Sequence, residues 1–423
     1  MKNQIIAGVD IGSSKIASIV GINSPEDNEI RIIGFNTTPS KGVRKGLIVD
    51  IDQVTASVEE SIEKAERMAG HKVNSCLVAV GGPHIASLNS HGIVAVAHPE
   101  GEINEEDVAR VIDAARAISL SNTKQIIEVS PRDFIVNGQS GIKNPVGMSG
   151  VRLEVDTHII TASQTNLKNI DRCLMELGLQ NSGFIFAGLA SAEACITDTE
   201  KELGVALVDI GGGKIDLAVY VEGALAYSSS IAIGARHVTN DIAVGLRVSL
   251  DSAEKIKLHL NKNIDDKKHP LKQSQTNLNF ADLNLPETLG EISLKTLVDG
   301  IIAPRLEEIF KLIFEELDKS GFANLIPSGI VITGGGALTV GMLETGRRII
   351  GLPIRLGIPQ GVTGLVDEVM HPPFATCIGL LLYGKKNTTE KEPDWKNFNR
   401  ILKDVSFNNS ISKVKGFFKQ FIP

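Results

Sequence analysis

Cysteine is scarce in this chain of 423 residues, and the four present, Cys76, Cys173, Cys195 and Cys377, stand far apart with no CxxC or metal-ligand spacing. That argues against a disulfide-stapled or zinc-bound scaffold and suits a reduced compartment. No 18 residues pass without a polar break, and the short apolar run near the N-terminus contains Asp10, so neither a membrane-spanning helix nor a cleaved signal peptide is expected. The nine histidines form no cluster, which leaves them as structural or solvated side chains. Net positive charge is lacking over most of the length. The formal charge is -7, yet residues 385–423 carry nine Lys and Arg against four Asp and Glu, so the body before them is strongly acidic. An acidic body argues against nucleic-acid binding and places any anionic partner at the basic tail, where polybasic segments commonly meet anionic lipid.

What is present is a hydrophobic fraction of 42%, enough for a soluble globular protein, and a length that suits about two to four domains. The most informative feature is a repeat. Val9-Asp10-Ile11-Gly12-Ser13-Ser14-Lys15-Ile16 returns 199 positions later as Val208-Asp209-Ile210-Gly211-Gly212-Gly213-Lys214-Ile215. Each copy joins an apolar run, a glycine-bearing turn and a second β-rich run, which predicts a β-hairpin with a small-residue tip. Such tips let backbone N–H groups approach phosphate oxygens, and an Asp ending the first strand is placed to hold a magnesium-bound water. Two of them facing each other would grip a polyphosphate from both sides. The candidate nucleotide-binding residues are therefore Gly12, Ser13, Ser14 and Lys15 in the first copy and Gly211, Gly212, Gly213 and Lys214 in the second. Asp10 and Asp209 are the candidate metal ligands.

Between the copies, Val54, Val58, Ile62 and Ala65 recur at helical spacing within 51–68, a strand is expected at 76–80, and Gly81-Gly82-Pro83 closes it. Short strands at 92–97, 125–129 and 155–160 then surround one helix that starts after Asn104, an N-cap followed by three acidic residues. This pattern reads as an inserted subdomain. A helix at 166–177 returns to the first domain. After the second copy, Ile233 to His237 carries Gly234, helices are expected at 238–244 and 250–257, and the polar stretch 261–285 reads as a loop. A long amphipathic helix at 297–317 is interrupted only by Pro304. A strand at 329–333 runs into Gly334, Gly335, Gly336 and Ala337, where a turn opens a helix whose N–H groups could contact a nucleotide.

These three glycine-rich elements, in this order, resemble the two phosphate motifs and the adenosine motif of the actin, sugar-kinase and chaperone ATPase superfamily. Four further stretches, Gly141 to Gly150, Phe186 to Ser191, Glu202 to Val205 and Val208 to Gly213, sharpen the resemblance to the FtsA family of bacterial cell division. It implies an α/β actin-like, ribonuclease H-like duplicated fold with two lobes. Subdomain 1A would take residues 1–82, 164–195 and 365–384, and 83–163 would be the inserted subdomain 1C. Subdomain 2A would take 196–236 and 306–364, subdomain 2B 237–305, with a linker at 385–406 and an amphipathic helix at 407–423. It also implies ATP and Mg2+ as cofactors, with Glu254 and Lys257 lining the adenosine pocket. From spacing alone those two residues make an i,i+3 ion pair just as well. The implied partners are the C-terminal tail of FtsZ, further copies of the chain, anionic inner-membrane lipids and other division proteins, at the cytoplasmic face of the septal membrane. Arg305 is a candidate for the FtsZ contact. The alternatives are a pilus-assembly actin homologue, which would lack the tail, and a sugar or acid kinase, which would need an Asp base in a sugar cleft.

Two departures from the family pattern bear on chemistry. Lys214 stands where relatives carry Thr or Ser, so a cation could pair with phosphate or point to solvent, and dependence on magnesium could change. Ala187-Gly188 stands where some relatives have Glu-Pro, which leaves no obvious base for a water and predicts at most slow hydrolysis. The tail adds a second signal. Phe407, Ile411, Val414, Phe417, Phe418, Phe421 and Ile422 fall on one face of a helix, within an arc of about 140°, while Lys413, Lys415 and Lys419 lie outside it. A helix of that kind lies flat in a lipid interface.

Overall fold

Ile6, Ala7 and Val9 are all buried although neighbours on a strand point to opposite faces, so their strand must lie inside a sheet covered on both sides. The computed structural model describes residues 4–24, 29–97, 101–263, 277–278, 280 and 283–389. In chain order the elements are β1 (Gln4–Ile11), β2 (Lys15–Asn23), β3 (Ile30–Pro39), β4 (Val43–Arg44), β5 (Leu47–Ile48), α1 (Ile51–Ala69), β6 (Ser75–Val80), β7 (Ala86–Ala95), α2 (Glu105–Arg116), β8 (Lys124–Val136), β9 (Gln139–Ile142) and β10 (Arg152–Ser163). There follow α3 (Gln164–Glu176), β11 (Gln180–Phe186), α4 (Ala187–Cys195), α5 (Asp198–Leu203), β12 (Val205–Ile210), β13 (Ile215–Val221), β14 (Ala224–Ile231), α6 (Arg236–Leu246) and α7 (Leu250–Asn263). The rest are β15 (Asn277–Leu278), β16 (Ile292–Ser293), α8 (Leu294–Leu297), α9 (Ala303–Ser320), β17 (Ile330–Thr333), α10 (Met342–Ile350), β18 (Ile354–Leu356), β19 (Val362–Gly364) and α11 (Ala375–Thr389). The described residues up to 385 form one compact unit; α11 runs on to Thr389, past the expected start of the linker, and the rest of that linker and the helix expected at 407–423, with Ile411, Lys413, Val414, Lys415, Phe417, Phe418, Lys419, Phe421 and Ile422, lie outside the described residues.

Among the described residues the first large sheet has the order β11-β6-β1-β2-β3-β19 and the second β14-β13-β12-β17-β18. They share one plan. In each, three strands run as an antiparallel meander (β1-β2-β3 and β12-β13-β14), and the first of them pairs in parallel on its other side (with β6 and β17). The sequence repeat is thus the visible part of a repeated sheet. Helices α1, α3, α4 and α11 cover the first sheet through a core that includes Val54, Leu174, Phe186 and Leu380. Helices α6, α7, α9 and α10 cover the second around Ile242, Ile256, Phe310 and Met342.

Between β6 and α3 a third sheet, β7-β10-β8-β9, packs on α2 with its own small core of Ile103, Val111, Phe134 and Leu153. Helix α2 starts as expected. Asn104 accepts the Asp107 N–H through its side chain and the Asp107 carboxylate accepts the Asn104 N–H, a capping box worth about 1 kcal/mol. This third sheet rests on β14. Ser87 Oγ donates to the Ser228 carbonyl at 2.6 Å, Gly82 N–H to Ser230 Oγ at 2.9 Å, and the His158 ring bridges Asn89 Oδ1 and Ser228 Oγ at 2.7 and 2.8 Å. Burial pushes the His158 imidazole down to about 4, so it is neutral in this role.

Several elements differ from the sequence expectation. Strand β7 begins well before residue 92 and β8 runs on to Val136, because their outer halves alternate polar residues that hide a strand signal. The helix expected at 297–317 changes pitch: a π turn (Val298–Ile302) joins α8 to α9, and Pro304, which has no N–H to give, follows just after it. The stretch 261–285 is not wholly loop, since α7 continues to Asn263 and β15 pairs with β16. After Gly334 no helix opens directly. A 3-10 turn (Gly335–Leu338) comes first, extended Thr339 ends it, and α10 begins only after Gly341 at φ 78.

One ion pair ties the second sheet to α5. The Arg355 guanidinium donates to both oxygens of Glu200, each at 2.7 Å, and also to the Cys195 carbonyl at 2.8 Å. Those hydrogen bonds hold the Glu200 carboxyl down at about 2, against an ordinary 4.5. A carboxylate with a depressed native pKa stabilises the fold above its unfolded pKa and loses that contribution as pH falls through its folded pKa. Urea denaturation of Glu200→Gln should therefore show its largest deficit against wild type at neutral pH, with the gap closing between about pH 4.5 and 2.

Candidate functional site

The two hairpins close in the same way. Gly12 N–H donates to the Lys15 carbonyl at 3.1 Å, and Gly211 N–H to the Lys214 carbonyl at 2.9 Å. A Cβ on Gly12 would sit 2.7 Å from that carbonyl oxygen, which is why the turn takes glycine. The tips face each other: a Cβ on Gly212 would meet Ser14 Cβ at 2.9 Å and one on Gly213 would meet Ser13 Oγ at 2.9 Å. Ser13 Oγ in turn accepts the Gly46 N–H at 3.0 Å. Gly234 lies against the second tip, where Ala235 and Arg236 donate to the carbonyls of Gly211 and Gly212 at 3.0 and 2.9 Å. Gly334, at φ 85, packs so close that a Cβ would strike the Asp209 carboxylate and the Ile210 carbonyl. Gly336 lies against Ile210 and Ala337 is buried, whereas a side chain on Gly335 would meet open space. The structure thus gathers Gly12 to Lys15, Gly211 to Lys214, Gly234 and Gly334 to Ala337 around the ends of β1 and β12.

Asp10 and Asp209 end the two equivalent strands. Asp209 Oδ2 accepts Ser191 Oγ of α4 at 2.6 Å and Thr376 Oγ1 of α11 at 2.9 Å. Burial nevertheless pushes its carboxyl up to about 6. Burial raises Asp10 as well, against the opposing pull of Lys214 and Lys15. Lys15 stands over the Phe374 ring, 4.1 Å from its centroid, and burial lowers its pKa.

Lys214 neither points to solvent nor projects as a free cation. Its ammonium pairs with Asp216, the cross-strand neighbour of Asp209, and side-chain exposures of 12% and 2% make this a buried pair. Burial works against the ammonium, but Asp216, Asp10 and Asp209 together outweigh it and raise its pKa. A cavity beneath the tips is lined by Asp10, Gly46, Gly81, His84 and Lys214, among others. Both ring nitrogens of His84 lack a hydrogen-bond partner there, and burial pushes the ring down to about 4.

Glu254 and Lys257 form the ion pair that their spacing allows, at 2.7 Å, and both engage the Thr239 hydroxyl of α6. Their helix stands beside the Gly334 to Ala337 turn, since Asn261 Oδ1 on α7 accepts the Val340 N–H at 3.0 Å. Arg305 is engaged within the fold: its guanidinium grips both oxygens of Asp241, at 2.5 and 3.0 Å, and reaches Glu308. Sequence reasoning missed Asp216, His84, Ser191 and Thr376. Asp216 carried a usable signal, a lone carboxylate in the apolar run Ile215 to Val221. The hydroxyls carried none. Among the described residues no group of three or more His, Cys, Asp or Glu is set to hold a metal, and no helix is long and apolar enough to cross a membrane.

A repeated sheet with a glycine-tipped hairpin in each half, the tips opposed and an Asp behind each, defines the actin-like ATPase fold. Solved structures agree on the fold: the chain is similar to a PilM-PilN type IV pilus biogenesis complex (TM-score 0.62, 16% identity, 90% of this chain and 98% of that one) and to MreB5 of Spiroplasma citri bound to AMPPNP (TM-score 0.53, 14% identity, 92% and 98%). Family models sharpen this. Residues 82–161 match the SHS2 domain inserted in FTSA and 206–379 match cell division protein FtsA. The chain is 38% identical to the cell division protein FtsA of Pseudomonas aeruginosa, over 92% of this chain and 91% of that one. It is 36% identical to that of Borreliella burgdorferi, over 99% of both, and 34% identical to that of Escherichia coli K12, over 92% and 93%. The chain belongs to the FtsA family, the actin-like proteins of bacterial cell division.

Proposed function

We propose that this chain binds ATP with Mg2+ between its two hairpins and uses the bound state to assemble with further copies of itself. In that state it tethers the C-terminal tail of FtsZ to the cytoplasmic face of the inner membrane at the septum and receives other division proteins there. The observation that carries this reading is the pair of opposed tips, each closed by the same glycine N–H and each backed by an Asp. Asp10 and Asp209 are hard oxygen donors of the kind Mg2+ accepts alongside water and phosphate, and they fit such an ion. Bound there, Mg2+ would supply charge that the phosphate oxygens need. Residues 237–305 are the proposed FtsZ-facing region, with Arg305 holding α6 to α9 rather than projecting free. Family membership supports the division role, and the basic tail supports the lipid contact.

Turnover is secondary in this reading. Ala187 and Gly188 open α4 with no carboxylate, and the acidic side chain nearest Gly188, Asp216, is held by Lys214. Binding rather than hydrolysis then sets the state of the switch. Asp209→Asn keeps an oxygen for Ser191 and Thr376 but removes the charge. Titration with a fluorescent ATP analogue in Mg2+ and in EDTA should show that the metal no longer raises the affinity. The melting temperature should not fall, because a buried carboxylate raised to about 6 costs stability while it is ionised. Affinity that Mg2+ still raises in the folded variant would overturn the assignment.

A further inference from the structure

In this chain the second hairpin brings its own cation. The Lys214 ammonium is paired with Asp216, lies within electrostatic reach of Asp10 and Asp209, and shares a cavity wall with Asp10. One carboxylate, Asp216 of β13, touches this ammonium, and Asp10 of β1 and Asp209 of β12 act on it from further off, as they do on Lys15; the neutral His84 ring and the backbone of Gly46 and Gly81 also face it. The charge is fixed by more than attraction: Gly46 and Gly81 lie directly against the lysine stem and ammonium, where any Cβ would strike them. Asp216 Oδ1 has no hydrogen-bond partner although the side chain is only 2% exposed, so the site still has an unfilled acceptor facing this ammonium.

We infer that Lys214 serves as a resident cation of the nucleotide site and takes over part of the charge neutralisation that a divalent ion otherwise supplies. It makes nucleotide binding by this chain largely independent of divalent metal. The inference rests on the proposal that a nucleotide binds between the hairpins. The physical reason is that an ammonium paired with Asp216, in a cavity wall shared with Asp10, offsets part of the repulsion the carboxylates would exert on a polyphosphate, while a divalent ion entering the same space meets a positive charge already in place.

The test is a binding titration of the full chain with a fluorescent ATP analogue, in MgCl2 and in EDTA at matched ionic strength. Wild type should lose less than about threefold in affinity on removal of the metal. Lys214→Thr combined with Asp216→Asn removes both partners, so no lone charge is left buried, and its affinity in EDTA should fall at least about tenfold below its affinity in Mg2+. A wild type that loses tenfold or more in EDTA would overturn the inference and leave the nucleotide reading standing. So would a double variant as indifferent to EDTA as wild type. Absence of binding in both buffers would overturn the nucleotide reading and this inference with it.

Discussion

Removal of residues 407–423 is expected to abolish sedimentation with anionic vesicles while leaving nucleotide affinity and melting temperature unchanged. The segment contains Phe407, Phe417, Phe418 and Phe421 with Ile411, Val414 and Ile422, and its only charges are Lys413, Lys415 and Lys419. A fully buried side chain of this kind contributes about 1.5–3 kcal/mol, reduced here because an interfacial helix is half immersed. Each lysine at an anionic surface adds about 1 kcal/mol. Summed over the segment, the effect is the difference between bound and free protein at micromolar concentrations. Phe418→Glu, which sets a charge near the middle of the apolar arc, should come close to the deletion. The rival role for an apolar terminal stretch is to dock on its own body, and that makes the opposite forecast. A truncated chain that melts several degrees earlier, or that still sediments with vesicles, would rule out the anchor.

Lys214→Met should destabilise the protein by about 3–5 kcal/mol, the cost typical of stranding one member of a buried ion pair. Asp216 has 1% of its surface exposed and one of its oxygens is already without a hydrogen bond. Asp209 stands directly across the strand pair from it, a like charge in the position where like charges repel most. Losing the ammonium leaves both carboxylates and Asp10 without the positive charge common to them. The pair as a whole is a different matter from its halves, because replacing both members by apolar residues avoids the stranded charge. Lys214→Met with Asp216→Leu should therefore recover most of the loss. Chemical denaturation of the two single variants and the double variant measures the coupling. A Lys214→Met variant as stable as wild type would mean that no buried charge is stranded at Asp216.

How far the residues disclosed this molecule depended on whether a feature was local. The Val9 to Ile16 and Val208 to Ile215 repeat was legible because a hairpin is set by adjacent residues, and its closing hydrogen bonds recur in both copies. Asn104 was legible as an N-cap for the same reason. Polar-rich strands were not: β7 places Ser87, Asn89 and Ser90 on a sheet that contacts other protein on its polar side, so alternation gave no clean signal there. Nor could Lys214 be read correctly. Its partner Asp216 is two positions on, but the pairing depends on β1 and Gly81 arriving from far along the chain to exclude water. Ser191 and Thr376 reach Asp209 only because α4 and α11 pack so tightly that a Cβ on Gly379 would strike the Ala190 carbonyl. Such contacts belong to the assembled core and have no local pattern.

The hydrogen bonds from Gly82, Ser87 and His158 to β14 have a consequence for solubility. In the second sheet β14 is the outermost strand, with β13 on its one paired side. An outermost strand with free carbonyls is a template on which another chain can add its own strand. Here the Ser228 carbonyl is taken by Ser87 and its hydroxyl by His158, and the Ser230 hydroxyl by Gly82. The inserted sheet therefore acts as a cover for a sticky border, blocking strand-by-strand growth along β14 and leaving any ordered self-association to surfaces of other kinds.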